Sequence, residues 1–200
     1  MDRLKMLGLI ALAATAVMAF AATASATTAT SPKGTVYTST VTASTEGHAI
    51  LHDKSGLGIT PECNGTLAGS IAEDGVGKAI GIKVTTLGWS NCTNNWALTT
   101  LKAGLVQIHS VSGSENGTVT STGLEVTGKQ STTGLHCIWS TNVTDIGFLT
   151  SSTSTGGNAT IDMSGTLKRT GGSSGIFCGE EASWTGSYKI TTPTTFYVDA

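Results

Sequence analysis

Residues 178–200 read CGEEASWTGSYKITTPTTFYVDA, and this stretch decides the fold class. Trp184, Gly186, Tyr188 and Ile190 alternate with polar residues, and beyond Pro193 the alternation resumes at Phe196 and Val198. Successive side chains of a strand point to opposite faces, so this period gives one face to a core and the other to water. With Cys178 just upstream, the stretch predicts strands that close a β-sheet and are tied covalently to an earlier one.

Working outward, the same period recurs. Asn158–Lys168 places Ile161, Met163 and Leu167 on one face. Leu67, Gly69 and Ile71 share a face, as do Ile80, Ile82 and Val84, on either side of Asp74-Gly75, a strong hairpin-turn dipeptide. Further extended runs lie at 46–53, 96–98, 104–111, around Gly123, and at 135–149, where Leu135, Cys137, Trp139 and Val143 share a side. Thr35–Val41 (TVYTSTV) is β-branched but carries little apolar content, which suits an edge strand. No window beyond the first 26 residues has a sustained 3.6-residue period behind a capping residue. The chain is predicted to be all-β, an antiparallel β-sandwich or barrel of about 10–12 short strands.

The leading 26 residues stand apart. Arg3 and Lys5 precede an apolar run from Leu7 to Ala22, and Ala24-Ser25-Ala26 forms a small-x-small cleavage site. That is the pattern of a secretory signal peptide. Cleavage would leave Thr27–Ala200, in which 27–34 read as a flexible, Thr-rich N-terminal arm and 35–200 as a single all-β domain. No membrane span is expected after cleavage. Charged residues make up 12% of the chain with a net charge of −2, and Lys and Arg are scattered. This leaves no basic footprint for nucleic acid.

Cys63, Cys92, Cys137 and Cys178 are the four cysteines, and an even number in an exported chain predicts two disulfides. Three pairings are open. An internal echo favours one of them: each half has a cysteine-bearing strand, then a second cysteine followed within a few residues by a tryptophan (Trp96, Trp184). Pairing within halves gives Cys63–Cys92 and Cys137–Cys178. No CxxC or CxH pair suggests zinc.

Candidate chemistry is sparse. Gly171–Gly175 matches G-x-S-x-G, but its Gly/Ser-rich flanks and the lack of a histidine after His136 make it a linker. His48 and His52 share a strand face beside Asp53 and are weak metal candidates lacking an identifiable third ligand, so no metal or cofactor is expected. Glu180 and Glu181 are adjacent and point apart, unlike a glycosidase pair. Trp139 and Trp184 share the parity of their apolar neighbours and read as core. Trp89, in the loop TLGWSNC, is the tryptophan expected to be exposed, and with Asn91, Asn94 and Asn95 it forms a weak ligand- or glycan-binding candidate. Five N-x-[ST] sequons (Asn64, Asn91, Asn116, Asn142, Asn158) reflect the abundance of Asn and Thr.

The cysteine followed by WTGSYKITTPTTFYV resembles the ending of a group of uncharacterised secreted proteins of high-GC actinobacteria. The signal peptide, Gly/Thr-rich strands and cysteine placement are also similar to PraB-like secreted proteins, which are exported, cysteine-paired and linked to biofilm or alkane growth. Both resemblances imply an exported β-protein and neither supplies catalytic residues. The functional expectation is a non-enzymatic cell-surface, extracellular-matrix or adhesion component that self-associates through its N-terminal strand. A small-ligand or carbohydrate-binding module using Trp89, with cell-wall or glycan contact, is the alternative.

Overall fold

In the computed structural model, residues 27–54, 60–72, 79–142, 144–153, 155–173 and 177–199 are described. The expected signal peptide, the Asp74-Gly75 turn, Val143 and the Ser174-Gly175 half of the G-x-S-x-G match lie outside them. Every strand pairing among the described residues is antiparallel, and the chain is all-β. The sequence expectation of fold class holds.

The longest strands are β2 (Thr40–Asp53), β3 (Glu62–Ala72), β4 (Ala79–Ser90), β11 (Thr160–Gly172) and β12 (Glu181–Thr192). They run 11 to 14 residues, so "short strands" is corrected for this part of the wall. The reason is visible in β2. Its register slips between Ser44 and Ala49, where Gly47 has φ of 80°. A bulge at a glycine lets a strand continue while its side-chain alternation jumps, which in sequence looks like a strand boundary.

The remaining wall is built from β5 (Trp96–Lys102), β6 (Leu105–Ser110), β7 (Gly117–Thr122), β8 (Glu125–Gln130), β9 (His136–Ser140) and β10 (Thr144–Thr150). Eight strands close a barrel in the order β2-β3-β4-β6-β7-β10-β11-β12, with β12 pairing back onto β2. β5, β8 and β9 prolong that wall. β5 runs into β6 through Ala103-Gly104, β7 into β8 through Gly123-Leu124, and β9 leads on towards β10 past Thr141 and Asn142. The breaks lie side by side: Gly123 N–H donates to Thr141 O, and Thr141 N–H donates to Leu124 O. Gly104 and Gly123 both sit at positive φ, 72° and 73°. A side chain at 104 would strike the backbone of Thr122 and Leu124 within 2.6 Å, so only glycine fits there. Three long strands therefore bend along one line. Barrel neighbours in space are also neighbours along the chain, making an up-and-down meander.

The two open ends are closed differently. At one, β1 (Thr28–Thr30) pairs with β13 (Tyr197–Asp199) and buries Ala29, Phe196 and Val198 against the core. Phe196 exchanges hydrogen bonds with Ser152, and Val198 N–H donates to Glu115 O. The flexible arm expected at 27–34 is thus corrected, because Thr28–Thr30 form a strand with Ala29 and Thr30 buried. The edge strand expected at 35–41 is corrected as well: only Val36 makes a bridge, to Thr30, and regular pairing begins at Thr40. The other end carries both disulfides, Cys63–Cys92 and Cys137–Cys178, the pairing the internal echo favours.

The interior is filled. Trp139, Trp184, Tyr188 and Ile190 are buried as their parity predicts. Trp184 lies between Trp89 (centroids 5.6 Å apart) and Tyr188 (6.1 Å, edge to face), spacings favourable for ring pairs. The cavity beside Trp184 and Tyr188 is about 20 Å³ and wholly apolar-lined, roughly one water in size but without polar partners for one. The Tyr188 hydroxyl is buried and makes no hydrogen bond of good geometry, and burial, opposed in part by the neighbouring Trp184 indole N–H, pushes the phenol well above its ordinary pKa. An orphaned buried hydroxyl costs about 1–3 kcal/mol. Tyr188→Phe is expected to raise the urea-unfolding free energy by about 1 kcal/mol, a small void at Gly65 offsetting part of the gain. A fall in that free energy would show that the hydroxyl is held.

Candidate functional site

The disulfide-bearing end holds an exposed polar loop whose backbone is braced from several strands. Residues 91–95 connect β4 to β5 in a tight loop in which Asn91, Asn94 and Asn95 all take left-handed backbone, with φ of 52°, 57° and 59°. Asparagine tolerates this conformation better than most residues, so the Asn-rich sequence and the turn are consistent.

The loop is braced from several sides. Cys92 is bonded to Cys63 at the start of β3. Thr93 N–H donates to Glu62 O at 2.9 Å, and Glu62 N–H donates to the Thr93 hydroxyl at 3.1 Å. From the end of β8 the Gln130 amide donates to Asn94 O, and from the turn after it the N–H and hydroxyl of Ser131 both donate to Asn95 O. The backbone is held while the three Asn side chains are left in solvent. Displayed amides on a fixed backbone can donate and accept hydrogen bonds without a large ordering cost.

Trp89 departs from its expected place. It belongs to β4 rather than to a loop, and it is half-buried, not exposed. Its ring packs against Trp184, and its indole N–H donates to the Thr100 hydroxyl at 3.1 Å, which in turn donates to Leu87 O at 2.7 Å. This chain stitches β4 to β5, where the two strands share no backbone ladder. Trp89 is therefore a support beneath the Asn loop, with its face already occupied.

His48 and His52 are both exposed on β2, as their spacing suggested, but His52 Nδ1 hydrogen-bonds to the Thr60 hydroxyl at 2.8 Å. Among the described residues no group of three or more His, Cys, Asp or Glu could hold a metal. Glu181 meets Lys168 and Lys54, and the Lys168 hydrogen bond, then the Lys54 one, holds its carboxyl below the ordinary range. This trio is exposed and contributes little to stability.

Asp53 is the residue that sequence reasoning passed over. It is 1% exposed, and both its oxygens accept the Gly179 N–H at 2.9 Å, fixing the segment next to Cys178. Its parity with Ala49 and Leu51 was the available signal: on that strand, 49, 51 and 53 all point inward. Asp53→Ala is expected to cost about 1–3 kcal/mol, because the buried Gly179 N–H loses its acceptor. Asp53→Asn keeps an acceptor and is expected to lose less, by urea unfolding of both variants.

Comparison with family models, curated proteins and solved structures returns no match to this chain.

Proposed function

We propose that this protein is exported and works outside the cell as a non-enzymatic surface, matrix or adhesion component, with its disulfide-braced end as the contact face. The observation that carries the reading is the 91–95 loop, whose backbone is fixed by a disulfide and by Glu62, Gln130 and Ser131 while Asn91, Asn94 and Asn95 face solvent. Two disulfides fit an oxidising compartment. Rigid polar display suits repeated contact with hydrated surfaces better than an enclosed ligand site does.

A carbohydrate-contact reading follows from the same loop, since primary amides match sugar hydroxyls in both donor and acceptor capacity. Trp89 would then act by supporting the loop, not by stacking on a ring.

The test uses glycine as a scalpel. Asn91→Gly/Asn94→Gly/Asn95→Gly removes all three amides and keeps the left-handed backbone that glycine adopts freely. Export places the tagged protein outside intact cells with Thr27 as its first residue; recovery from the cytosol would end the export reading. Binding to whole cells, extracellular matrix and arrayed glycans is then compared for native and triple-glycine proteins. Loss of binding in the variant supports the loop as the contact face, and equal binding by both proteins overturns it.

A further inference from the structure

The first and last strands meet outside the barrel wall. β1 takes its strand partner from β13: Thr28 lies opposite Asp199, Ala29 opposite Val198, and Thr30 opposite Tyr197. Its other edge is tied by the Thr30–Val36 bridge to its own connection, and Thr27 donates a hydrogen bond to Ser110 of β6. The barrel closes through β12 and β2 with no ladder to β1. β1 can therefore leave its seat without opening the wall. Its departure strips the edge of β13 and uncovers Val198, which is otherwise fully buried. Such an edge is satisfied by a strand that presents the same residues in the same register, and a second copy carries one.

The connection between β1 and β2 suits a hinge. In residues 31–39, Pro32, Lys33, Gly34, Thr35 and Val36 are all exposed. A small turn folds the chain back, with Ser31 N–H donating to Thr35 O and Thr35 N–H donating to Pro32 O. Lys33 adds an exposed ion pair with Glu115, of the kind that contributes little. Between β1, this connection and the ends of β3 and β4 runs a groove of about 410 Å³, which borders β1 although Ala29 itself is buried. Drawn straight, nine residues reach about 30 Å, enough to place β1 on a neighbouring molecule.

We propose that β1 is an exchangeable strand that docks on β13 of a second copy of this chain in the register seen here. The donor surface (β1) and the acceptor surface (β13) differ, so the contact is heterologous and builds open chains of molecules unless it closes on itself. A short tether gives β1 an effective concentration in roughly the millimolar range for its own barrel. In dilute solution the strand returns home; exchange takes over when copies are crowded or when the hinge cannot turn back. This goes beyond the proposed function, since it holds wherever the protein works.

Ala29 and Val198 provide the reporter. Tyr37 N–H donates to Ala29 O, and Val198 N–H donates to Glu115 O, so both residues direct these backbone groups away from each other. They are therefore a non-hydrogen-bonded pair, whose Cα atoms lie about 4.5 Å apart, close enough for a disulfide. All four native cysteines are already bonded. In the Ala29→Cys/Val198→Cys protein at micromolar concentration, oxidation is expected to give an internally bonded monomer. Deleting Lys33–Thr35 from the same protein removes the turn. The expected result is a ladder of disulfide-linked dimers and larger species on a non-reducing gel, with a matching shift in size-exclusion chromatography. A shortened protein that folds and stays monomeric, bonded or not, overturns the proposal. Should the shortened protein not fold, the full-length hinge decides at millimolar protein. Intermolecular bonds that increase with concentration support exchange, and exclusively internal bonds overturn it.

Discussion

Replacing both partners of the second disulfide, Cys137→Ala/Cys178→Ala, is expected to lower the unfolding free energy by about 4 kcal/mol in the chain-entropy account. The bond closes a loop of sequence separation 41, against 29 for Cys63–Cys92. Loop length alone separates the two by only about 0.3 kcal/mol, so burial has to rank them. Cys137 and Cys178 are both fully buried, whereas Cys92 is half-buried in its loop. Their removal leaves the segment around residue 178 held by the Asp53–Gly179 hydrogen bond without its covalent tie. Urea unfolding of the double variant and of its Cys63→Ala/Cys92→Ala counterpart checks both parts. A smaller loss at 137/178 than at 63/92 would refute the ranking.

Trp139→Ala is the second large effect, with an expected cost of about 3–5 kcal/mol. Trp139 is 1% exposed near the end of β9, and it is among the largest fully buried side chains. Its neighbour across the ladder toward Cys137 is Gly128, where a Cβ would stand 3.2–3.3 Å from the rings of Trp96 and Trp139 and from Leu98. The absence of a side chain at 128 is what lets two indoles share that layer. Truncating one of them leaves a void that a meander braced by two disulfides cannot readily collapse. Trp139→Phe should recover about half the loss, and equal losses for Ala and Phe would overturn the volume account, since the buried indole N–H makes no hydrogen bond that could be lost.

How far the sequence carried the fold depends on whether each side chain's neighbours obey period two. Asn158–Lys168 and Trp184–Ile190 do, and β11 and β12 lie where the pattern puts them. The cysteine echo led to the observed bonds. Gly104 and Gly123 misled because a glycine that bends a strand and a glycine that ends one look alike in sequence. Thr28–Thr30 has no apolar signature beyond Ala29; its place in a strand comes from a partner 169 residues away, which no local window contains. At the candidate site, Asn91, Asn94 and Asn95 were legible as a loop because Asn clusters mark turns. Trp89 was not, since its burial depends on Trp184 and Thr100 reaching it from other strands.

The pairing of β2 with β12 has a consequence for how the protein is made. Every other joint in the barrel links strands that follow one another, so it can zip as the chain emerges from its N-terminus. The first stave must wait for the last. Until residue 192 is out, β2 presents fourteen residues with one edge unpaired. The Cys63–Cys92 bond can form once residue 92 is out, but the Cys137–Cys178 bond waits for residue 178 and the closing joint for β12. Whatever shields β2 in that interval, the vulnerable period of this protein is its birth.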